Sequence, residues 1–231
     1  MGVGKRYGCA CAEVADCCRA AGRDPGEVTV VAVSKTVDGP AVAEAIEAGA
    51  RDFGENRPDQ LMAKADAFPQ VRWHFIGNIQ GRRIRDIVGR AALIHSLSEL
   101  HHAQRIAGEA RKRGIVQDAL IEVNVSGEQT KGGLAPAEVP AFLDACRQME
   151  GLRVRGLMTM APRGDAGAAR DAFRGLRQLL ESLQEGLPAD ERAVFRELSM
   201  GMSEDWPEAV QEGATFVRIG RRIFSDEFGA S

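Results

Sequence analysis

Short β-branched runs alternate with helix-compatible segments eight times along these 231 residues, and few folds accommodate that rhythm. Strands are predicted over residues 28–36, 51–54, 71–76, 92–95, 119–124, 154–158, 195–198 and 215–219. Helices are predicted over 41–48, 55–67, 82–88, 98–112, 137–149, 166–184 and 205–212, with Ser98 as a plausible cap and a short helical turn over 221–224. An additional helix over 5–21 comes first, closed by Gly22 and the turn signal Asp24-Pro25. The count and the short connections predict an α/β fold, a single (β/α)8 TIM barrel with an extra N-terminal helix, as one domain over residues 1–231. An open doubly wound parallel sheet is the competing arrangement.

Charge and hydropathy narrow the functional class. The formal net charge is −3, so nothing argues for a nucleic-acid surface, and the cluster Arg82-Arg83-Ile84-Arg85 reads as structural or as a local anion contact. No run approaches a membrane span or a signal-peptide core, and Arg6 stands where a myristoylation signal wants Ser or Thr, so a cytoplasmic protein is expected. Four of the five cysteines, Cys9, Cys11, Cys17 and Cys18, fall in the first helix on different faces. That spacing suits small buried residues in a reducing compartment better than zinc, with redox chemistry left to any exposed member.

Both alternative sheets bind ligands beyond the C-terminal ends of their strands, which gathers scattered residues into one place. The first strand run ends on Lys35, which shares a face with Val31 and Val33. An amine at that position is expected to be partly desolvated, which favours its neutral, Schiff-base-forming state. Near the C-terminus, Ser199 and Ser203 offer hydroxyls, Gly201 permits close backbone approach, and Gly220 precedes a short helix at Arg221. Together these resemble two halves of a phosphate cradle, with Ser203 also a candidate cap for the helix near Asp205. Arg218 shares parity with Gly220 and is expected to face the barrel interior, with Glu122 a candidate ion-pair partner. A reactive lysine, a phosphate cradle and an inward arginine suggest pyridoxal 5′-phosphate (PLP).

The segments Val31-Ala32-Val33-Ser34-Lys35-Thr36, Phe53-Gly54-Glu55-Asn56, Trp73-His74-Phe75-Ile76-Gly77, His95-Ser96, Glu122-Val123-Asn124-Val125-Ser126-Gly127-Glu128, Gly156-Leu157-Met158-Thr159, Leu198-Ser199-Met200-Gly201-Met202-Ser203 and Val217-Arg218-Ile219-Gly220 stand in this order. Together they resemble the pyridoxal phosphate homeostasis protein family, in register from about residue 28 to 224. The resemblance implies a barrel similar to the N-terminal domain of alanine racemase, holding PLP as an internal aldimine on Lys35. It places Ser199, Met200, Gly201, Ser203, Gly220 and Arg221 around the phosphate, Arg218 at the pyridine nitrogen and Asn56 beside the ring. An arginine at that nitrogen keeps it unprotonated and makes the ring a poorer electron sink. The sequence departs from the family pattern at Arg57-Pro58, Asn78-Ile79, Arg221 and Ser225.

A racemase of related fold needs a second acid or base opposite the lysine, normally a tyrosine. The sole tyrosine here, Tyr7, lies in the N-terminal helix. His74 and His95 are stand-ins, although histidines on barrel strands are more often satisfied core residues. The expectation is therefore a monomeric carrier that stores, buffers or delivers PLP to apoenzymes without robust turnover. A residual amino-acid racemase and a class I aldolase-like barrel are the alternatives. Lys131 is a candidate second amine or anion contact, or simply a solvated loop lysine.

Overall fold

The computed structural model describes residues 1–128, 132–226 and 228. Lys131 falls outside the described residues. Eight parallel strands close into a barrel in sequence order, with β8 returning to pair with β1. They are β1 (Thr29–Val33), β2 (Asp52–Glu55), β3 (Arg72–Phe75), β4 (Leu93–Leu97), β5 (Gln117–Glu122), β6 (Leu152–Met158), β7 (Glu197–Ser199) and β8 (Phe216–Ile219). This is the predicted (β/α)8 architecture; the open sheet is excluded by the β1–β8 ladder, which pairs Thr29 with Phe216 and Val31 with Arg218.

The helices are α1 (Val3–Ala20), α2 (Gly39–Glu47), α3 (Pro58–Ala67), α4 (Ile84–Ile87), α5 (Leu100–Lys112), α6 (Val139–Arg147), α7 (Ala166–Glu185), α8 (Ala189–Val194), α9 (Trp206–Gln211) and α10 (Arg221–Phe224). The extra helix α1 buries Val3, Ala10, Val14 and Cys18, one stripe at helical spacing, and packs along α2, α9 and α10. Of its four cysteines only Cys18 is buried; Cys9 is exposed and Cys11 and Cys17 are half-buried, so the expectation of a buried set holds for one of them. Cys146 on α6 is the other buried thiol, and burial pushes it up to about 12.

Several boundaries differ from the sequence reading for local reasons. β1 stops at Val33, which puts Lys35 in the following turn. α3 begins at Pro58, because Glu55 and Asn56 continue from β2 and Pro suits a first helical turn. Ser98 caps nothing: α5 starts after Glu99 with no side-chain cap. The sequence pattern does not predict the turn α8 before β7; six residues with Asp190, Glu191 and Arg192 in a row carry little periodic signal.

Two layers of side chains make the core. Between strands and helices, Phe53, Trp73, Phe75, Ile94, Ile121, Leu157 and Val217 pack against Leu61, Ile106, Phe173, Leu176 and Val210. Inside the barrel, Leu93, Leu120, Met158 and Phe216 form a small apolar plug. The rest of that interior is unusual for a barrel, where branched apolar residues dominate. Asp52, His74, His95, Ser199, Arg218 and Glu122 are all buried.

Candidate functional site at the barrel mouth

The C-terminal ends of the strands surround a cavity of about 720 Å³, within the range of small-molecule sites. Lys35, Asn56, Ser203, Arg218, Gly220 and Arg221 line it, and so does Asn78, one of the departures from the family pattern. Six of the nine residues singled out from the sequence therefore converge on one space. Arg57, another departure, is exposed and pairs with Asp59 at 3.1 Å.

Lys35 is exposed to this cavity, which corrects the expected desolvation: the strand ends two residues earlier, so the side chain is carried by a turn. Its backbone is held rigidly from behind. The buried Lys64 on α3 donates from Nζ to the Ser34 carbonyl at 2.8 Å and to Glu55 Oε1 at 2.5 Å, and the Ser34 hydroxyl donates to the same carboxylate at 2.7 Å. With its amide turned to satisfy its neighbours, Gln60 donates to Glu55 Oε2 at 3.0 Å and to the Lys35 carbonyl at 3.2 Å. Glu55 is wholly buried, so this ion pair replaces the water both charges have lost.

Asn56 is set by a close approach of backbones. A Cβ on Gly77 would lie 2.0 Å from the Asn56 carbonyl oxygen, so only glycine lets the loops after β2 and β3 meet there. Across the cavity the Ser203 hydroxyl accepts from the Gly220 N–H at 3.2 Å, tying the loop after β7 to the start of α10. Ser203 does not cap α9; Asp205 takes that corner, accepting from the Met202 N–H at 2.5 Å. The Arg221 guanidinium pairs with Glu204 at 2.8 Å and lies 5.6 Å from the Phe228 ring centre.

Arg218 is buried on the inner face of β8, as its parity predicts, with its guanidinium at the cavity floor. It donates to Ser199 Oγ at 2.6 Å and to the Thr159 carbonyl at 3.1 Å. Burial lowers its pKa to about 10, against the pull of Asp205 and Glu122, so it remains a cation at neutral pH. Glu122 makes no close ion pair with it among the described contacts; burial raises the Glu122 carboxyl, and Arg218 only partly offsets that.

Ser199, Met200 and Gly201, expected around the phosphate, are not among the residues that line the cavity. The Ser199 hydroxyl is committed beneath Arg218 and to His95 Nδ1 at 2.8 Å. Met200 is wholly buried in the outer core. Gly201 has φ +89°, and a Cβ there would sit 2.6 Å from the Ala209 Cβ, so the glycine serves the approach of α9.

His74 and His95 are satisfied core residues. His74 Nδ1 meets His95 Nε2 at 2.8 Å, and His74 Nε2 meets Asp52 Oδ1 at 3.0 Å. Desolvation, with His74 and Arg218 alongside, holds His95 well below the ordinary imidazole range. Burial alone would raise Asp52, but hydrogen bonds from His74 and Arg72 outweigh it and lower the carboxyl. Both shifts make acid destabilising. Below about pH 6.5 the unfolded chain protonates His95 while the folded one does not, and below about pH 3.9 the same holds for Asp52. The melting temperature is expected to fall as pH drops from 7 to 5, and this fall is expected to flatten in His95→Phe.

This floor-to-rim arrangement on a closed barrel defines a class. The alanine racemase N-terminal domain family model matches residues 17–227. The pyridoxal phosphate homeostasis protein of Pseudomonas aeruginosa is 42% identical over 224 residues, covering 95% of this chain and 94% of the other. That of Escherichia coli strain K12 is 34% identical over 209 residues, covering 88% and 87%. The chain belongs to the pyridoxal phosphate homeostasis protein family. PipY of Synechococcus elongatus, solved with PLP bound, superposes with a TM-score of 0.83 at 32% identity, covering 96% of this chain and 100% of that one. Alanine racemase of Clostridium difficile shares the fold alone, at a TM-score of 0.68 and 13% identity over 51% of its own length.

The sequence reading missed the Glu55–Lys64 clamp. Its signal was present: Lys64 follows Leu61 by three positions and so shares its buried face.

Proposed function

We propose that this protein binds PLP at the barrel mouth, covalently through Lys35, and serves to hold and supply the cofactor. One observation carries the reading: a lysine, a floor arginine and a hydroxyl–amide pair converge on one cavity large enough to admit the cofactor. Lys35, Ser203, Gly220, Arg218 and Arg221 fit the two ends of that molecule. The bound cofactor supplies an aldehyde carbon for attachment and an electron-withdrawing ring.

The Ser203 hydroxyl and the N–H groups opening α10 donate to the phosphate, and Arg221 adds a positive charge at the rim. Ser199, Met200 and Gly201 support that cradle from behind. Arg218, a permanent cation with no proton to accept, faces the pyridine nitrogen and leaves it unprotonated. Asn56, held by the close approach at Gly77, flanks the ring.

A storage and delivery role accords with the names of the relatives and with the position of Tyr7. That residue borders a groove lined also by Cys11 and Asp52, apart from the mouth cavity. His74 and His95 are committed to each other inside the barrel. No helix among the described residues is long and apolar enough to cross a membrane. We read the protein as a cytoplasmic monomer that hands PLP to apoenzymes.

Incubation with PLP, borohydride reduction and peptide mapping test the reading. The expected result is a visible absorbance band that reduction bleaches, with the reduced adduct on Lys35. A colourless protein after incubation refutes it.

A further inference from the structure

Beneath Arg218 the buried polar side chains of the barrel interior form one unbroken chain. From the cavity floor it runs from Arg218 to Ser199 at 2.6 Å, to His95 at 2.8 Å, to His74 at 2.8 Å and to Asp52 at 3.0 Å. At its far end Arg72 closes on Asp52 with two bonds of 2.6 Å. Asp52 also borders the groove beneath α1, so the chain links the two ends of the barrel.

We propose that Ser199, His95, His74 and Asp52 are positioning residues: a directional hydrogen-bond relay that fixes the Arg218 guanidinium against the pyridine ring of bound PLP. This rests on the functional reading above.

The direction follows from donor and acceptor inventories. A guanidinium only donates, so Ser199 Oγ accepts from Arg218 and its own O–H is free to donate to His95 Nδ1. His95 then carries its single proton on Nε2 and donates to His74 Nδ1. His74 in turn carries its proton on Nε2 and donates to the Asp52 carboxylate. One assignment satisfies every link with both imidazoles neutral, in keeping with the depressed basicity of His95. The opposite polarity requires a proton on Asp52 or a second one on His74. It also points two N–H groups at Ser199 and leaves its O–H with no acceptor among the described contacts.

Among the described residues Arg218 makes one other side-chain hydrogen bond, to the Thr159 carbonyl. Breaking the relay therefore frees one arm of the guanidinium.

The test is PLP affinity of the full chain, from absorbance titration of wild type, Ser199→Ala, His95→Phe, His95→Asn, Arg218→Ala and the Ser199→Ala/Arg218→Ala pair. Ser199→Ala is expected to weaken binding about tenfold, as for one lost hydrogen bond to a charged group, and to add nothing in the Arg218→Ala background. His95→Asn, whose amide oxygen can still accept from Ser199, is expected to bind closer to wild type than His95→Phe. Nitrogen-15 spectra of the ligand-free protein are expected to show both imidazoles neutral and protonated on Nε2. Wild-type affinity and absorbance maximum in Ser199→Ala, whatever its melting temperature, overturn the proposal, as does additivity in the pair or the opposite tautomers. Wild-type protein that takes up no PLP is a separate result: it refutes the functional reading, and the relay then has no ring to position.

Discussion

Lys35→Ala, incubated with PLP and then dialysed, is expected to lack the aldimine band that the wild-type protein retains under the same conditions. The side chain reaches into the cavity from a turn, and the backbone carrying it is pinned at the Ser34 and Lys35 carbonyls. Its range of motion is therefore that of one flexible side chain on a fixed stem, the arrangement that favours a single attachment point. Lys64 does not substitute, because it is buried on the other side of the strand and its Nζ is bound to Glu55 and to the Ser34 carbonyl. The cradle around Ser203, Gly220 and Arg221 remains intact in the variant. PLP is thus expected to bind still, reversibly and more weakly, as seen by dialysis: wild type retains the cofactor and the variant loses it. A visible band of unchanged intensity in Lys35→Ala, or mapping of the reduced adduct to another lysine, contradicts the site described above.

The fold was legible because barrel periodicity is written into local pattern. Each β-branched run is followed by a segment of helical composition, and the rule that ligands gather beyond the C-terminal strand ends brings together Lys35, Asn56, Gly77, Asn78, Ser126, the loop from Ser199 to Ser203, Gly220 and Arg221, of which Ser126, Ser199, Met200 and Gly201 stand outside the cavity lining. Parity along β8 correctly turned Arg218 inward. What local pattern does not carry is where a strand stops. The run 28–36 looks continuous, but pairing with β2 and β8 ends at Val33, and Lys35 consequently became exposed to the cavity instead of desolvated. Nor does it carry the partner of a buried polar group. Ser199 has the composition of a phosphate donor, yet its hydroxyl is taken up by Arg218 and His95, residues 19 and 104 positions away in sequence. Gly201 has the composition of a ligand-hugging turn, but it is needed for the packing of α9. Both are long-range facts of the closed barrel, and a hydroxyl or a glycine reads the same in either role.

The largest loss of stability is expected on removing one member of the charge pair behind the reactive lysine. Lys64→Met keeps most of the side chain's length and apolar stem but deletes the ammonium. Among the described residues Glu55 then keeps the Ser34 hydroxyl and the Gln60 amide as donors, in a position that solvent does not reach. Breaking a buried pair from one side costs about 3–5 kcal/mol, because the surviving charge has neither water nor its partner. For a domain of this size that corresponds to a fall in melting temperature of roughly 6–20 °C. The Ser34 carbonyl loses its Nζ donor at the same time, so the turn bearing Lys35 loosens and PLP uptake is expected to fall along with stability. Glu55→Gln/Lys64→Met removes both charges and is expected to recover most of the melting temperature, since a neutral amide can still accept from Ser34. Uptake of PLP by the double variant then separates the two effects. Recovered stability with poor uptake assigns the clamp to holding Lys35 in place, whereas recovery of both assigns it to charge compensation alone. A Lys64→Met protein that melts like wild type shows that Glu55 has found other compensation, and the clamp is then not what holds the turn.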